Sequence, residues 1–160
     1  MRPSESDRPP VVRQLAGNRR AAHEYIIHDR YEAGIALTGT EVKSARQGAI
    51  QLKDAFVTFR GGEAFLVGAH ISPYPQGGRD NHPPERERKL LLARREIDKL
   101  AGRVGAKGFT VVPLAVYLRG DRIKVEIALV QGKQLFDKRE AERRRELDRE
   151  AAAAKSGERW

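Results

Sequence analysis

The 160-residue sequence contains no cysteine. This absence excludes disulfide bonds, thiolate metal ligands and thiol catalysis, and it is typical of proteins in a reducing cytoplasm. No apolar run approaches the roughly 20 residues that are needed to cross a bilayer. The first seven residues also lack an apolar signal region. We therefore expect a soluble, cytoplasmic protein with no membrane-spanning segment.

Acidic residues are too few to balance the basic ones. The chain has 31 Lys and Arg residues against 22 Asp and Glu residues, which gives a formal net charge of +9 at pH 7. Strongly basic proteins bind polyanions. The expected partner is therefore a nucleic acid, with an anionic membrane surface as the less favoured alternative.

Large apolar residues are scarce at both ends of the chain. Met1 is the only one before position 11, and those after position 130 are Leu135, Phe136, Leu147 and Trp160. We predict a flexible N-terminus over residues 1–13 and one folded domain over residues 14–130. Residues 131–160 form a tail of mixed charge that we expect to be disordered alone. Because this tail is rich in Glu, Arg and Ala, we expect it to become helical when a partner holds it.

Two glycine-containing turns indicate β-hairpins. Gly61-Gly62 and Gly120-Asp121 each lie between two apolar segments. After the second turn, apolar and polar residues alternate over residues 123–127, which is the period of a half-buried strand. The paired segments are residues 56–59 with 64–67 and residues 111–118 with 123–130. A third pair of strands is predicted over residues 25–27 and 34–37, with a charged bend between them at residues 28–32.

Helical spacing of apolar residues predicts a long helix between residues 86 and 104, which ends at Gly105. A shorter helix is predicted over residues 40–47, with Thr38 or Thr40 as its N-cap. Short strands with a small helix and a long helix among them indicate a mainly β protein of the α+β class. The predicted fold is a closed or partly open antiparallel β-barrel of oligonucleotide-binding type with flanking helices.

No motif in the chain supports catalysis or metal binding. Gly77-Gly78-Arg79-Asp80 lacks the spacing and the lysine of a phosphate-binding loop, and no serine stands in a nucleophile-elbow context. The histidines show no spacing typical of a metal site; they are His23, His28, His70 and His82. We therefore predict no enzyme activity, no metal and no cofactor.

Basic residues cluster beside rings that can stack on bases, a mixture suited to folded or unstacked RNA. For any single cation, an ordinary solvated surface residue is an equally good interpretation, so the argument depends on the clusters together with the net charge. The clusters are Asn18-Arg19-Arg20, then Arg86, Arg88 and Lys89, then Lys133, Lys138 and Arg139, with His23, Tyr25, His70, Tyr74 and His82 nearby.

Leu91 stands apart on the predicted long helix. A rotation of about 100° separates it from the buried Leu90 and places it with Arg94, Arg95 and Asp98. An exposed apolar side chain among cations can pack on an RNA base or sugar. Partial burial beneath a neighbouring loop is the alternative interpretation.

Several ordered motifs resemble the bacterial SsrA-binding protein family, also called small protein B. The resemblance covers residues 14–139, and it is specific because the motifs are collinear. They include Asn18-Arg19-Arg20-Ala21-Ala22-His23-Glu24-Tyr25, Glu32-Ala33-Gly34-Ile35, Gly39-Thr40-Glu41-Val42-Lys43-Ser44, His70-Ile71-Ser72-Pro73-Tyr74, Arg86-Glu87-Arg88-Lys89-Leu90-Leu91-Leu92, Val112-Pro113-Leu114, and Gly132-Lys133 with Asp137-Lys138-Arg139.

The resemblance implies a non-catalytic protein that binds the tRNA-like part of transfer-messenger RNA. Such a protein delivers the RNA, with elongation factor Tu, to stalled ribosomes for trans-translation. It implies RNA contacts at Asn18, Arg19, His23, Glu32, Ala33, Gly34, Glu41, Lys43, Ser44, Leu91 and Lys124, with Arg86, Arg88 and Lys89 nearby. It implies contacts with the decoding centre of the small ribosomal subunit at Lys133, Phe136, Asp137, Lys138 and Arg139. We expect a monomer with no membrane partner.

Two details qualify this resemblance. Gln134 stands where a second Lys is common in the family, and Phe136 stands where a His or Tyr is common. The Phe136 ring can still stack, but it cannot form the hydrogen bond that a His or Tyr ring can make. Glu32 would be repelled by phosphate, so we interpret it as a structural ion-pair partner. The rival interpretations are a general single-strand-binding or ribosomal protein with the same barrel, and an RNA-modifying enzyme.

Overall fold

The computed structural model describes residues 12–157, with side chains described outside 134–140 and 153–157. The predicted flexible N-terminus lies outside this description over residues 1–11. The strands are β1 (Val12–Gly17), β2 (Tyr25–Ile35), β3 (Ile50–Gln51), β4 (Phe56–Arg60), β5 (Glu63–Val67), β6 (His70–Ile71), β7 (Arg88–Leu91), β8 (Phe109–Arg119) and β9 (Arg122–Gly132). The α-helices are α1 (Arg19–Glu24), α2 (Gly39–Arg46), α3 (Arg94–Arg103) and α4 (Lys133–Gly157).

The main sheet is antiparallel, with the strand order β1-β8-β9-β2-β7-β5-β4. Strand β4 at one edge contacts β8 near the other edge, so the sheet curls into a partly open barrel. Strands β3 and β6 form a separate two-stranded sheet. The predicted barrel-like, mainly β fold with flanking helices is confirmed.

The core fills the inside of this barrel. Its fully buried members include Leu66, Leu90, Ile127 and Leu129. A smaller cluster, which includes Ala21 and Val130, packs α1 against strands β8 and β9. All buried apolar side chains of the described residues fall between positions 21 and 130, which agrees with the predicted extent of the core.

Both hairpins with glycine-containing turns are confirmed. Strands β4 and β5 pair around Gly61 and Gly62, whose φ angles of 57° and 76° match a tight turn that favours glycine. Strands β8 and β9 pair around Gly120 and Asp121. The paired strands are longer than predicted, because β8 and β9 each have 11 residues.

The predicted hairpin at residues 25–37 is wrong. Residues 25–35 form the single strand β2, which pairs with β9 on one side and with β7 on the other. His28, Arg30 and Glu32 are exposed, while the residues between them are less exposed or buried. The charged segment is therefore the outer face of a half-exposed strand rather than a bend.

The predicted long helix over residues 86–104 is also partly wrong. Residues 88–91 form strand β7, in which Arg88 and Leu90 face inward while Lys89 and Leu91 face outward. Helix α3 begins only at Arg94 and buries Ile97 and Leu100. The four residues of β7 alternate with the period of a strand, but Leu90 also fits the helical spacing of the apolar residues that follow. The two periods therefore cannot be told apart over so short a segment.

The short helix after β2 is confirmed at α2. Thr38 is its N-cap and forms a capping box with Glu41. The sequence does not predict strand β1 or helix α1. Val12 and Arg13, which the sequence assigns to the flexible N-terminus, belong to β1 and pair with β8. Gln131 and Gly132, assigned to the tail, belong to β9.

The C-terminal segment forms helix α4, whose residues 141–152 are all exposed. A helix over these residues agrees with their Glu-, Arg- and Ala-rich composition. The helix differs from the disorder that we expect of the tail alone. That the tail is disordered in the free protein and helical only with a partner stays a prediction. None of the described helices is long and apolar enough to cross a membrane.

Candidate nucleic-acid interface

A row of residues crosses three neighbouring strands on the outer face of the sheet. Gly34 of β2 pairs with Leu91 of β7 on one side and with Lys124 of β9 on the other. Because directly paired residues of antiparallel strands are about 5 Å apart, the backbones of Leu91 and Lys124 are separated by about 10 Å. The sheet thus places an apolar side chain and a cation on opposite sides of a glycine.

Leu91 lies across this glycine. A Cβ atom at residue 34 would lie 3.2 Å from the Leu91 Cβ, so only glycine leaves the side chain its present position without adjustment. Leu91 is 55% exposed, whereas Leu90 is 1% exposed. The predicted exposure of Leu91 is therefore confirmed, although strand alternation rather than helical rotation produces it.

A concave surface of about 250 Å³ adjoins Leu91, and we call it the first groove. Most of its lining residues are apolar, and two cations, Arg122 and Lys124, line it together with one acid, Asp121. The lining residues are Gly34, Ile35, Leu37, Val42, Leu91, Asp121, Arg122, Ile123 and Lys124. This combination suits a ligand with an apolar face and a negative charge, such as a nucleotide of RNA.

Glu32 is an ion-pair partner, as its structural interpretation predicts. Its Oε2 accepts a hydrogen bond from the Tyr117 hydroxyl at 2.6 Å and lies 2.8 Å from Arg119 Nη2. The Tyr117 hydrogen bond, together with the charges of Arg119 and Lys124, lowers the pKa of Glu32 despite partial burial. Burial and the ionised Glu32 raise the pKa of Tyr117 to about 12. Glu32 therefore stays charged and holds two residues of β8.

Helix α2 is tied to the barrel by a buried ion network centred on Glu41. Arg86 Nη2 and Arg88 Nε each lie 2.6 Å from one of its carboxylate oxygens. The Thr38 backbone amide donates to Glu41 Oε1 at 2.9 Å. Burial opposes ionisation of Glu41, but these hydrogen bonds outweigh it and lower its pKa to about 2.

The two arginines extend the network to other segments. Arg88 donates to the carbonyls of Ala69 and Pro84 at 2.8 and 3.0 Å, and Arg86 donates to the carbonyl of Ala36 at 3.2 Å. Ala36 immediately follows strand β2. The network therefore fixes the end of β2, α2 and the segment between them, which carry Ile35, Val42 and Leu37 of the first groove.

Four predicted RNA-contact residues are buried and do not reach the surface in this structure. They have no more than 1% exposure because they are packed inside the barrel or belong to the ion network: Ala33, Glu41, Ser44 and Arg88. A direct contact with RNA by these side chains does not fit the fold, and they support the surface from within. Lys43 and Lys89 are exposed, with Lys43 Nζ 5.4 Å from the centre of the Tyr74 ring.

A second group of predicted residues lies at the opposite end of β2, about 30 Å along the strand from Gly34. Asn18 is the N-cap of α1, since its Oδ1 accepts from the Ala21 amide and its Nδ2 donates to the Pro113 carbonyl. Arg19 and His23 of α1 are exposed. The predicted RNA contacts therefore form two separate surfaces rather than one.

The start of helix α4 adjoins this second group. Lys133 Nζ donates to the Ala22 carbonyl at 3.3 Å. A cavity of about 420 Å³ is lined by His23, Glu24, Tyr25, Gly132 and Lys133. The side chains of the other predicted ribosome contacts lie outside the described residues: Phe136, Asp137, Lys138 and Arg139.

Several features of this surface were not found from the sequence. Tyr117 and Arg119 lie 85 and 87 positions after Glu32, and no local pattern signals their contact with it. Conversely, His82 was counted among the rings near the basic clusters, yet it is buried. Its Nδ1 is 2.8 Å from Thr40 Oγ1 and its Nε2 is 2.9 Å from the Ile71 carbonyl. It is therefore not available for stacking.

The chain is similar to known proteins over most of its length. The model of the SmpB protein family matches residues 15–156. The SsrA-binding protein of Roseiflexus castenholzii is 53% identical over 140 residues, which cover 87% of this chain and 89% of the relative. The SsrA-binding protein of Geobacillus kaustophilus is 51% identical over 140 residues, covering 88% and 90%.

A solved structure shares the fold as well. One chain of "tmRNA-SmpB: a journey to the center of the bacterial ribosome" is 46% identical with a TM-score of 0.64, and the match covers 74% of this chain and 83% of that chain. The family model, the relatives and the solved structure all point to the same family, and each match covers most of the chain. The protein therefore belongs to the SmpB family of SsrA-binding proteins.

Proposed function

We propose that this protein binds the tRNA-like part of transfer-messenger RNA, the SsrA RNA, and delivers it to stalled ribosomes in trans-translation. Its relatives are named for binding SsrA, and the similar solved chain comes from a structure of tmRNA and SmpB on the bacterial ribosome. Within this chain, the observation that carries the proposal is the row Leu91, Gly34 and Lys124.

This row has the chemistry that an RNA contact requires. Leu91 offers an apolar surface to a sugar or base, and Lys124 with Arg122 offers positive charge to phosphates. The paired strands fix the backbone of the row, so little backbone entropy is lost on binding. Lys43 is a further exposed cation, on α2 next to the groove residue Val42 in the sequence.

The second surface would carry the remaining contacts with the RNA and the first contact with the ribosome. Arg19 and His23 are exposed on α1 and would bind the RNA. His23 and Lys133 line the same cavity at the far end of β2, so the ribosomal contacts would begin beside the RNA contacts, where α4 leaves the barrel. Lys133 would begin the ribosomal contact, and the remaining contacts would come from Phe136, Asp137, Lys138 and Arg139.

Elongation factor Tu would join through the RNA, and the protein would act as a monomer in the cytoplasm without catalytic turnover. Its role would be to replace parts of a tRNA that the shortened RNA lacks. Because RNA binding releases counterions, affinity should fall by about 10³-fold between low and moderate salt if about six phosphates are contacted.

The test compares two adjacent leucines of β7. Leu91→Asp should impair binding of the isolated tRNA-like RNA in gel shifts and leave the melting temperature almost unchanged. Leu90→Asp should lower the melting temperature strongly because it buries a charge. Normal RNA binding by folded Leu91→Asp would contradict the proposal. Equal affinity for unstructured RNA and tRNA-like RNA would favour a general single-strand-binding protein instead.

A further inference from the structure

A second concave surface lies on the other side of Leu91, and we call it the second groove. Its volume is about 470 Å³. Leu91 lines both grooves, so its exposed side chain forms a ridge between them. The second groove is lined by Gly62, Glu63, Lys89, Leu90, Leu91, Leu92, Arg94 and Ile97.

Two cations stand in the second groove. Lys89 is on the same outer face of β7 as Leu91, about 6.6 Å along the strand. Its Nζ lies 3.1 Å from Glu63, and Arg94 Nε lies 3.2 Å from Asp98. All four side chains are at least 45% exposed, and ion pairs with that exposure contribute little stability. A phosphate can therefore replace either carboxylate at small cost.

The guanidinium of Arg94 lies close to the hairpin turn between β4 and β5. A Cβ atom at Gly62 would lie 2.9 Å from the guanidinium carbon of Arg94, so the guanidinium occupies space that a side chain at residue 62 would fill. Arg94 is also the first residue of α3. Its planar donors line the second groove, a geometry that suits recognition of phosphate oxygens.

We propose that the bound RNA crosses the Leu91 ridge and that Arg94 and Lys89 bind its phosphates in the second groove. This inference rests on the proposed function, since it extends the same interface. The two grooves carry cations on both sides of one apolar ridge: Lys124 and Arg122 on one side, Lys89 and Arg94 on the other. An RNA strand matches this order, with a sugar or base on the ridge and phosphates on either side.

The experiment compares two adjacent exposed arginines of α3. Arg94 lines the second groove, whereas Arg95 lines neither groove. Arg94→Gln should weaken binding of the tRNA-like RNA about fivefold at 0.15 M salt, because the variant would release one counterion fewer from the RNA when it binds. The slope of log affinity against log salt should fall by about 1. Arg95→Gln removes the same charge from the same helix and should change affinity less than twofold.

Further variants separate this proposal from the proposed function. Lys124→Gln removes a cation of the first groove and should weaken binding whether or not the second groove is used. If Lys124→Gln weakens binding but Arg94→Gln behaves like Arg95→Gln, the second groove is not part of the interface. If neither Lys124→Gln nor Leu91→Asp weakens binding, the proposed function fails at this surface. Normal RNA binding by Arg94→Gln with loss of peptide tagging would assign the second groove to a ribosomal partner and overturn the proposal.

Discussion

The two ends of strand β2 are built in different ways. Near Ile35, the strand is held between β7 and β9, and the buried network of Glu41 fixes the segment that follows it. Near Tyr25, the surface is made by a six-residue helix and by the start of α4. Among the described side chains there, the hydrogen bond from Lys133 to the Ala22 carbonyl joins α4 to α1.

This difference separates a preorganised surface from a conditional one. At the Leu91 end, strand pairing and buried ion pairs set the backbone positions before any RNA binds, so binding loses little backbone entropy. At the α4 end, residues 141–152 are exposed and contribute no core packing. We expect ordering of such a segment to depend on its partner, which would make its folding specific for the correct site.

Removal of residues 136–160 should give the largest effect. Among the described side chains the apolar core ends at Val130, so the truncated protein should fold and bind the tRNA-like RNA with nearly unchanged affinity. Peptide tagging on stalled ribosomes should be abolished, because the proposed decoding-centre contacts are gone. The measurement is tagging in a reconstituted translation reaction, with RNA binding assayed in parallel. Full tagging would refute this division of labour, and a collapse of RNA affinity would assign the tail to the RNA-binding surface.

Phe136 offers a finer version of the same test. If its ring stacks on a base, Phe136→Ala should lose about 1–3 kcal/mol of binding free energy on the ribosome. Phe136→Tyr should lose little, because stacking tolerates the hydroxyl. Equal tagging by the alanine and tyrosine variants would exclude stacking as the role of this ring.

Glu41→Gln should destabilise the Leu91 end by removing the carboxylate at the centre of the buried ion network. Arg88 has no exposed side-chain area, so its charge would lose its carboxylate partner inside the protein. Breaking a buried ion pair in this way costs about 3–5 kcal/mol in free energy of unfolding. Glu63→Gln breaks an exposed pair with Lys89 and should cost less than about 1 kcal/mol. Chemical denaturation of both variants measures this difference, and equal losses would contradict the assigned role of the network.

The same network predicts acid sensitivity. Because Glu41 has a pKa of about 2 in the folded protein and 4.5 as its ordinary value, its ionised form stabilises the fold. That stabilisation is fully present above about pH 4.5 and is lost as the pH falls towards 2; it amounts to on the order of 3 kcal/mol. The difference in unfolding free energy between wild type and Glu41→Gln should therefore shrink as the pH is lowered from 7 to 3. A constant difference would show that the charge of Glu41 is not its cause.

The contrast between the two ends also explains what could be predicted from the sequence. Turn residues and local periodicity reported the hairpins at Gly61 and Gly120 and the cap at Thr38, because those signals are short-range. The β2 strand and β7 were misread because an exposed strand carries charges, and because Leu90 fits both helix and strand periods. Long-range contacts, such as Tyr117 with Glu32, leave no local pattern.

Gly34→Ala should disturb the Leu91 end without unfolding it. The new Cβ would approach the Leu91 Cβ to 3.2 Å, so the Leu91 side chain must shift by a few tenths of an ångström. We expect RNA affinity to fall several-fold and the free energy of unfolding to change by less than about 1 kcal/mol. Gly39→Ala is a matched control, because a Cβ there meets no atom within 4 Å. Unchanged affinity in Gly34→Ala would show that the position of Leu91 is not critical for binding.

Tyr117→Phe should have a small effect, confined to stability, because Glu32 keeps Arg119 as a partner. The Tyr117 hydroxyl is the largest cause of the lowered pKa of Glu32, so that pKa should rise towards its ordinary value of 4.5 in the variant. Since a lowered carboxyl pKa stabilises the fold above about pH 4.5, the variant should lose about 1 kcal/mol at pH 7 and less as the pH falls. Solvent screening limits this loss, because Glu32 has 37% of its side chain exposed. Denaturation at pH 7 and pH 3.5 measures it, and the double variant with Glu32→Gln should lose less than the sum of the two single losses. Additive losses, or a loss that does not change with pH, would mean that Tyr117 stabilises the sheet through its ring and not through Glu32.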